Sequence, residues 1–383
     1  MSKRTLGFVS AIALLGLSFT AYAFTSHFVA QTKNADKPLK GTWDFKPHKV
    51  WQIEKAGDDV FAHPFSLRIS EKGTLYIYDM KAEINYIFDQ NGGFQKSFAK
   101  GGEGPGEIIG QGRTFLVKNK VIITGMNGVH YFTEEGEYIR STKEAGLGLP
   151  IHLFLTENEL ISAPLTGIHT PDGKGKIQYQ DLATKTERVI AEFTSFQGGV
   201  GQSGQQVFDM IVAGLSPLMT IAHDNNRIYW GMSDDYTIHV SDLEGKSLDS
   251  FSINRKKTKV SKNTKKRYFE GRSLPADALD QIVSSLPEAL TYFHRIEVHK
   301  EFIFVYVPEL DIEAGHAKIK QIDIFSLQGK YLYRTQIELE QGLTPLFSPL
   351  ENLTIHQGNL YVVCEKEDDS IIVVKYDITM PTK

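Results

Sequence analysis

Three histidines set the widest chemical possibilities in this 383-residue chain. His63, His152 and His294 lie on well-separated segments. Three imidazoles brought together would hold a zinc ion with one position open for water or substrate. Glu351 and Asn352 offer the oxygen donors that calcium takes. Arg113, Ser216 and Arg295 complete a set of polar side chains that stand at the starts of apolar segments. Such residues meet only through a fold, so their spacing demands neither ion and no cofactor is predicted. Each histidine also has a plain structural reading. His63 precedes Pro64 and would fix a turn, while His152 and His294 would hydrogen-bond their neighbours. No Gly-x-Ser-x-Gly elbow and no His-Glu-x-x-His helix is present. The single cysteine, Cys364, excludes an intramolecular disulfide, and its apolar run from Leu360 reads as a buried, inert thiol.

A second cluster is Gly101-Gly102-Glu103-Gly104-Pro105-Gly106-Glu107. A phosphate cradle would need a following Lys-Ser or Lys-Thr and a strand–loop–helix setting, and neither is there. Four glycines and a proline instead let a backbone pass close to its neighbours at a junction. Glu103 and Glu107 would cap loop amides or face a pocket.

The elements that must position these groups repeat. Pro64, Pro217 and Pro349 each precede an apolar strand, and a second strand begins eleven residues on, at Leu75, Ile228 and Leu360. From Pro150 to Leu160 the offset is ten. A third strand, a Gly-containing turn and a fourth strand follow, as in Ile84–Phe88, Asp89–Gly93 and Phe94–Phe98. Six units result, at about 63–98, 112–142, 149–193, 216–253, 292–339 and 348–378. A lone four-stranded sheet cannot bury both faces, so such units stack in a ring. The last unit holds three strands, and Val50-Trp51-Gln52-Ile53 is expected to supply its fourth. The fold class is therefore all-β, a six-bladed β-propeller spanning 41–383. The starts of the six units would form one rim of the axial funnel, which is why His63, Arg113, His152, Ser216, His294, Arg295, Glu351 and Asn352 are the candidate site.

One insertion, about 255–291, breaks the rhythm between units four and five. Pro275 would open a helix carrying Leu279, Ile282, Val283 and Leu286 on one face. Ahead of it run Arg255, Lys256, Lys257, Lys259, Lys262, Lys265, Lys266 and Arg267 with no acid among them. That run reads as a solvated face, with docking to an anionic partner as the functional alternative. Overall the chain is 41% hydrophobic and 23% charged with net charge −4, which argues for no nucleic-acid partner.

The first unit, from His63-Pro64-Phe65 to Gln90-Asn91-Gly92, resembles an NHL-type propeller repeat. With the Gly-Glu-Gly-Pro-Gly-Glu string after it and the insertion before unit five, nearly the whole chain resembles the bacterial exported six-bladed β-propeller family, NHL-like or TolB-like. That resemblance implies the fold and export, in Bacteroidetes-like bacteria, and no reaction. NHL-type lyases do use histidines near the axis. Two functions are therefore open. One is a monomeric binding or scaffold protein that holds a peptide, glycan or protein at the funnel. The other is a propeller enzyme of lactonase, lyase or hydrolase type, with or without a metal.

Lys3 and Arg4, the apolar stretch to Phe19 and Ala21-Tyr22-Ala23 read as a signal peptide over 1–23, and 24–40 reads as a flexible linker. The destination is the periplasm or cell surface. A leader left uncut would be a membrane anchor, since Thr5–Phe24 matches the roughly 20 residues a spanning helix needs. Terminal sequencing of the protein from its native host should read from Phe24; a chain still carrying Lys3 and Arg4 would show the anchor instead.

Overall fold

The computed structural model describes residues 30–110, 113–142, 151–164, 174–194, 215–267, 279–280, 283–284, 286–311, 316–346 and 352–381. Blade 1 consists of Pro64–Ile69, Leu75–Asp79, Ile84–Phe88 and Phe94–Phe98, antiparallel and in chain order from the axis outward. Blade 2 is Arg113–Val117, Lys120–Gly125, Gly128–Thr133 and Tyr138–Thr142. Blade 3 is Ile151–Phe154, Glu159–Ala163, Lys174–Asp181 and Thr186–Thr194. Blade 4 is Met219–Asp224, Arg227–Met232, Thr237–Asp242 and Ser247–Asn254. Blade 5 is Arg295–His299, Phe302–Asp311, His316–Ser326 and Tyr331–Gln336. Blade 6 takes Leu353–His356, Asn359–Lys366 and Ile371–Asp377 from the end of the chain. Its outer strand is His48–Ile53, with Trp51 opposite Lys375 and Ile53 opposite Val373, as the unpaired Val50–Ile53 segment led us to expect. The molecule is a six-bladed β-propeller.

The blade strands are apolar at consecutive positions because both faces of each sheet are covered. Side chains alternate across a strand, so each blade feeds two cores. In blade 6, Leu360, Val362 and Cys364 pack toward blade 5, while Tyr361 and Val363 pack toward blade 1. In blade 2, Val121 and Ile123 face blade 1 and Ile122 faces blade 3. Among the described residues the apolar clusters fall one to each of the six blade junctions. Cys364 is fully buried, and burial pushes its thiol up to about 12, so it is inert at neutral pH.

Four of the inner hairpins turn alike. Lys118, Asn225, Lys300 and Gln357 each take φ near +50° (52°, 51°, 53° and 48°) as the first residue of a two-residue turn. Positive φ at that position matches the right-handed twist of the two strands.

The segment expected as a linker is partly built into the ring. Ala30–Ala35 pairs in parallel with the outer strand of blade 4. The Asn34 amide donates to the carbonyls of Ser252 (3.1 Å) and Gly329 (3.0 Å) and accepts from the Tyr331 N–H (3.0 Å). The chain then crosses blade 5, where Leu39, Lys40 and Trp43 donate to the carbonyls of Tyr331, Leu332 and Arg334. It then supplies the outer strand of blade 6, from which Trp51 Nε1 reaches blade 1 and donates to the Gln90 carbonyl at 3.1 Å. This belt covers the outer edges of three blades, edges that would otherwise offer unpaired backbone groups to another chain.

A buried charge fixes the belt. Asp323 is fully buried in blade 5. It accepts from Tyr236 Oη and Tyr331 Oη at 2.6 Å each, from Arg255 Nη1 at 2.7 Å and from Gln321 Nε2 at 3.0 Å. Arg255 also pairs with Asp36 at 2.7 Å, and Arg334 pairs with both aspartates. Burial pushes the Asp36 carboxyl up, but the two guanidiniums outweigh it and hold the group below its usual range.

Thus the basic run before blade 5 is only partly a solvated face. Arg255 is committed to this knot. Lys265 is buried in the short helix Lys262–Arg267, capped by Ser261, and donates to the Leu286 carbonyl at 3.0 Å. The helix expected from Pro275 falls largely outside the described residues, although 279–280 and 283–284 are helical and Val283 and Leu286 are buried.

Replacing Asp323 by Ala leaves two guanidiniums with only the more exposed Asp36 as counter-charge and two buried tyrosine hydroxyls without their acceptor. Urea unfolding should show a loss of about 3–5 kcal/mol, and a loss below about 1 kcal/mol would show that the knot does not hold the ring.

Candidate functional site

Each inner strand is hydrogen-bonded on one edge only, so its other edge faces the axis. Neighbouring inner strands touch around the ring, and the last junction is stitched by Thr354 Oγ1 donating to Glu297 Oε1 at 2.7 Å. The result is an axial channel of ≈ 450 Å³ walled by all six blades. Its walls are backbone edges and the side chains of these short strands.

The channel is lopsided. Blades 1 to 3 give it Leu67, Ile69, Phe115, Leu116, Leu153 and Phe154, together with Arg68 and Arg113. The Phe115 and Phe154 rings meet at 5.0 Å. Blades 4 to 6 give it apolar side chains too, among them Met219, Ile221, Ile296 and Ile355, but also every histidine that lines it, both threonines and Glu297. Glu297 is firmly held. Arg295 Nη2 lies 3.0 Å from Oε2, and Tyr306 Oη donates to the same oxygen at 2.6 Å. Arg295 also donates to the Leu353 carbonyl and lies over the Tyr306 ring at 4.1 Å.

The imidazoles of the channel are neutral at pH 7. Burial lowers His223, His294, His299 and His356, and for His356 the adjacent His299 lowers it further. The His299 and His356 rings, from adjacent blades, have centroids 6.4 Å apart. Both stand last in their inner strands, immediately before the turn.

The expected rim is distributed as follows. Arg113, His294 and Arg295 line the channel. His63 is exposed and off it; its backbone N–H donates to Asp79, a buried carboxylate that also accepts from the amides of Ala62, Lys81 and Ala82. Ser216 and Asn352 are buried and do not line the channel. The side chain of His152, and Glu351 altogether, lie outside the described residues. Among the described residues no three His, Cys, Asp or Glu side chains converge to hold a metal ion. The channel groups that the unit starts did not reveal are Arg68, Thr220, His223, Glu297, His299, Thr354 and His356.

The glycine loop sits elsewhere, between blades 1 and 2. Glu107 accepts from the Gly104 N–H at 2.9 Å and pairs with Lys100 at 3.3 Å, so it caps its own loop. A Cβ on Gly102 would lie 2.1 Å from Glu107 Oε2, and Gly106, at φ +78°, packs on Tyr138. Glu103 is exposed. Pro105, Gly106 and Glu107 line a separate cleft of ≈ 340 Å³ with Phe98, Phe132 and Tyr138.

No family model matches this chain, and no curated protein does either. Solved structures do. A Bacteroides fragilis protein inferred to be exported superposes with a TM-score of 0.55 over 92% of this chain and 100% of its own, at 14% identity. A member of the DUF4221 family from Bacteroides vulgatus gives 0.50 over 88% and 99%, at 10% identity. Virginiamycin B lyase from Staphylococcus aureus gives 0.43 over 88% and 100%, at 11% identity, and carries nothing about chemistry. The likeness to the first two is one of fold.

His294 links the channel to stability. It is 1% exposed, and burial pushes it down to about 3 from an ordinary 6.5. A depressed folded value means that the unfolded chain takes the proton first. Its contribution is complete above pH 6.5 and is lost as pH falls toward 3, by about 2 kcal/mol at pH 5. Urea unfolding at pH 7 and pH 5 should show a difference about 2 kcal/mol smaller in His294→Gln than in the parent; equal differences would remove His294 from the account.

Proposed function

We propose that this chain is an exported β-propeller that binds its ligand in the axial channel, as a binding or scaffold protein. The ligand is a small molecule or the tip of a peptide, glycan or protein. The observation that carries this reading is the convergence of six inner strands, far apart in sequence, on one cavity whose walls mix apolar side chains with anchored polar ones. A volume of ≈ 450 Å³ lies within the range of small-molecule sites. A fixed Arg295–Glu297–Tyr306 cluster supplies preorganised polar groups, which bind at low entropic cost.

Export is supported by the leader-like sequence of 1–23, by the loop at 101–107 that resembles the exported propeller family, and by the fold shared with the Bacteroides fragilis protein. Membership of that NHL-like family belongs to the same reading. So does a partner that is a peptide or a glycan and not a nucleic acid.

Leu116 and Leu153 are half-buried on the channel wall, so a tryptophan at either would fill the cavity without opening a core. After incubation with an extract of the cell envelope and dialysis, the parent should retain a defined small molecule, identified by mass spectrometry. Leu116→Trp and Leu153→Trp should not. Equal retention by all three proteins, or retention by none, would end the channel reading. A retained molecule returned chemically altered would favour the lactonase, lyase or hydrolase alternative.

A further inference from the structure

The two walls of the channel ask different things of a ligand, and this inference rests on the channel being the binding site. The wall from blades 2 and 3 carries Phe115 and Phe154 in ring contact, flanked by Leu116 and Leu153, with Arg113 at its end. The facing wall ends in two imidazoles, His299 and His356. Nε2 of each is buried and finds no hydrogen-bond partner among the described residues. Buried polar atoms are nearly always paired, and leaving one bare is unfavourable. Two such imidazoles on adjacent blades, their rings 6.4 Å apart and both residues lining one cavity, mark a place where a ligand or water would meet an unmet hydrogen bond.

Their chemistry can be read further. The Ser70 backbone favours the protonated His356 ring, as a carbonyl that accepts from its other nitrogen would. A neutral imidazole donates from one nitrogen and accepts at the other, so its bare Nε2 is an acceptor. Its counterpart is a donor without charge, an O–H or N–H. An anion would bring another acceptor to that nitrogen, and an aliphatic ligand would leave it bare. A flat apolar face for the phenylalanine side and hydroxyls on the opposite edge describe one chemical class.

We propose that the channel takes a hydroxylated ring, a sugar or a phenol, with its apolar face toward Phe115 and Phe154 and its hydroxyls on His299 and His356.

The test is direct. Long-range 15N spectra of the imidazoles follow titration with methyl β-glucopyranoside, methyl α-mannopyranoside, phenol and catechol, with toluene and benzoate as controls. His356 should start as the tautomer protonated at Nδ1. One of the two hydroxylated classes should move the Nε2 signals of His299 and His356, and its identity separates sugar from phenol. His299→Phe and His356→Gln should each weaken that ligand about tenfold, the size of one lost hydrogen bond, with unchanged circular dichroism. His63→Gln, exposed and off the channel, should bind as the parent does. The spectra of the unaltered protein need no variant to fold. Imidazole signals that stay still with all four ligands, a His356 protonated at Nε2, or toluene and benzoate binding as well as the hydroxylated rings would each overturn the proposal. If the tryptophan variants still abolish retention of an envelope molecule, the channel reading survives that failure; if they do not, both fall.

Discussion

The structure depends on one pairing, that of His48–Ile53 with Ile371–Asp377. Every blade is apolar on both faces, and a row of such sheets has two faces left over unless it closes. Closure here brings Tyr361, Val363 and Val373 of blade 6 against Leu67, Ile77 and Phe88 of blade 1, with Ile53 among them. The strand that seals the last blade comes from the far end of the chain. The ring therefore joins its termini by seven-residue and six-residue strands and not by a turn. The belt before that strand adds to the seal. Its parallel strand Ala30–Ala35 exposes alternate side chains and buries no apolar row, so it is held by backbone bonds, by Asn34 and by the Asp36–Arg255–Asp323 chain of charges.

Closure also separates two jobs. The cores lie at the junctions between sheets, whereas the channel is walled by strand edges and strand ends. Tyr306 shows how closely the two approach. Its ring is fully buried in the junction of blades 5 and 6, and its hydroxyl holds Glu297 in the channel. Desolvation, with Glu297 beside it, keeps the Tyr306 hydroxyl protonated far above neutral pH, so it remains a donor to Glu297. A site built this way is stiff, because moving Glu297 means disturbing a core tyrosine.

Much of this was legible in the sequence. The proline offsets and consecutive apolar residues gave six units, and the partnerless Val50–Ile53 implied the closing strand. What escaped has a common cause: it depends on partners remote in sequence. Arg255 reads as one member of a basic run, yet its partners lie 68 and 219 residues away. Residues 30–35, Ala-Gln-Thr-Lys-Asn-Ala, have no apolar period to detect because an added parallel edge strand needs none. The starts of the repeat units mark Arg113, His294 and Arg295, while the groups at the other end of the inner strands carry no such mark. His299 and His356 were within reach, since each stands immediately before a two-residue turn whose first residue has positive φ. Asn225-Asn226 and Gln357-Gly358 mark two of those turns in the sequence, but Lys118-Asn119 and Lys300-Glu301 do not look like turns at all.

The gathering of the channel's histidines, threonines and Glu297 on blades 4 to 6 is not required by the fold. Inner strands of all six blades meet the same constraint: the flanking faces are buried and one edge is open. Nothing in that constraint puts Phe115 and Phe154 on one side and His299 and His356 on the other. Each polar group placed there has a cost in solvation that a valine would not have. The protein even commits a buried tyrosine, a threonine and an arginine to holding one carboxylate, Glu297, in place. Part of that arrangement serves closure, since Thr354 and Arg295 tie blade 6 to blade 5 through Glu297 and the Leu353 carbonyl; the bare Nε2 atoms of His299 and His356 do not. The glycine loop makes the contrast. Its glycines and Glu107 satisfy one another, so its composition is explained by the close passage of the backbone between blades 1 and 2. In the channel wall Glu297, Arg295, Tyr306 and Thr354 likewise satisfy one another, whereas Nε2 of His299 and of His356 finds no partner among the described residues.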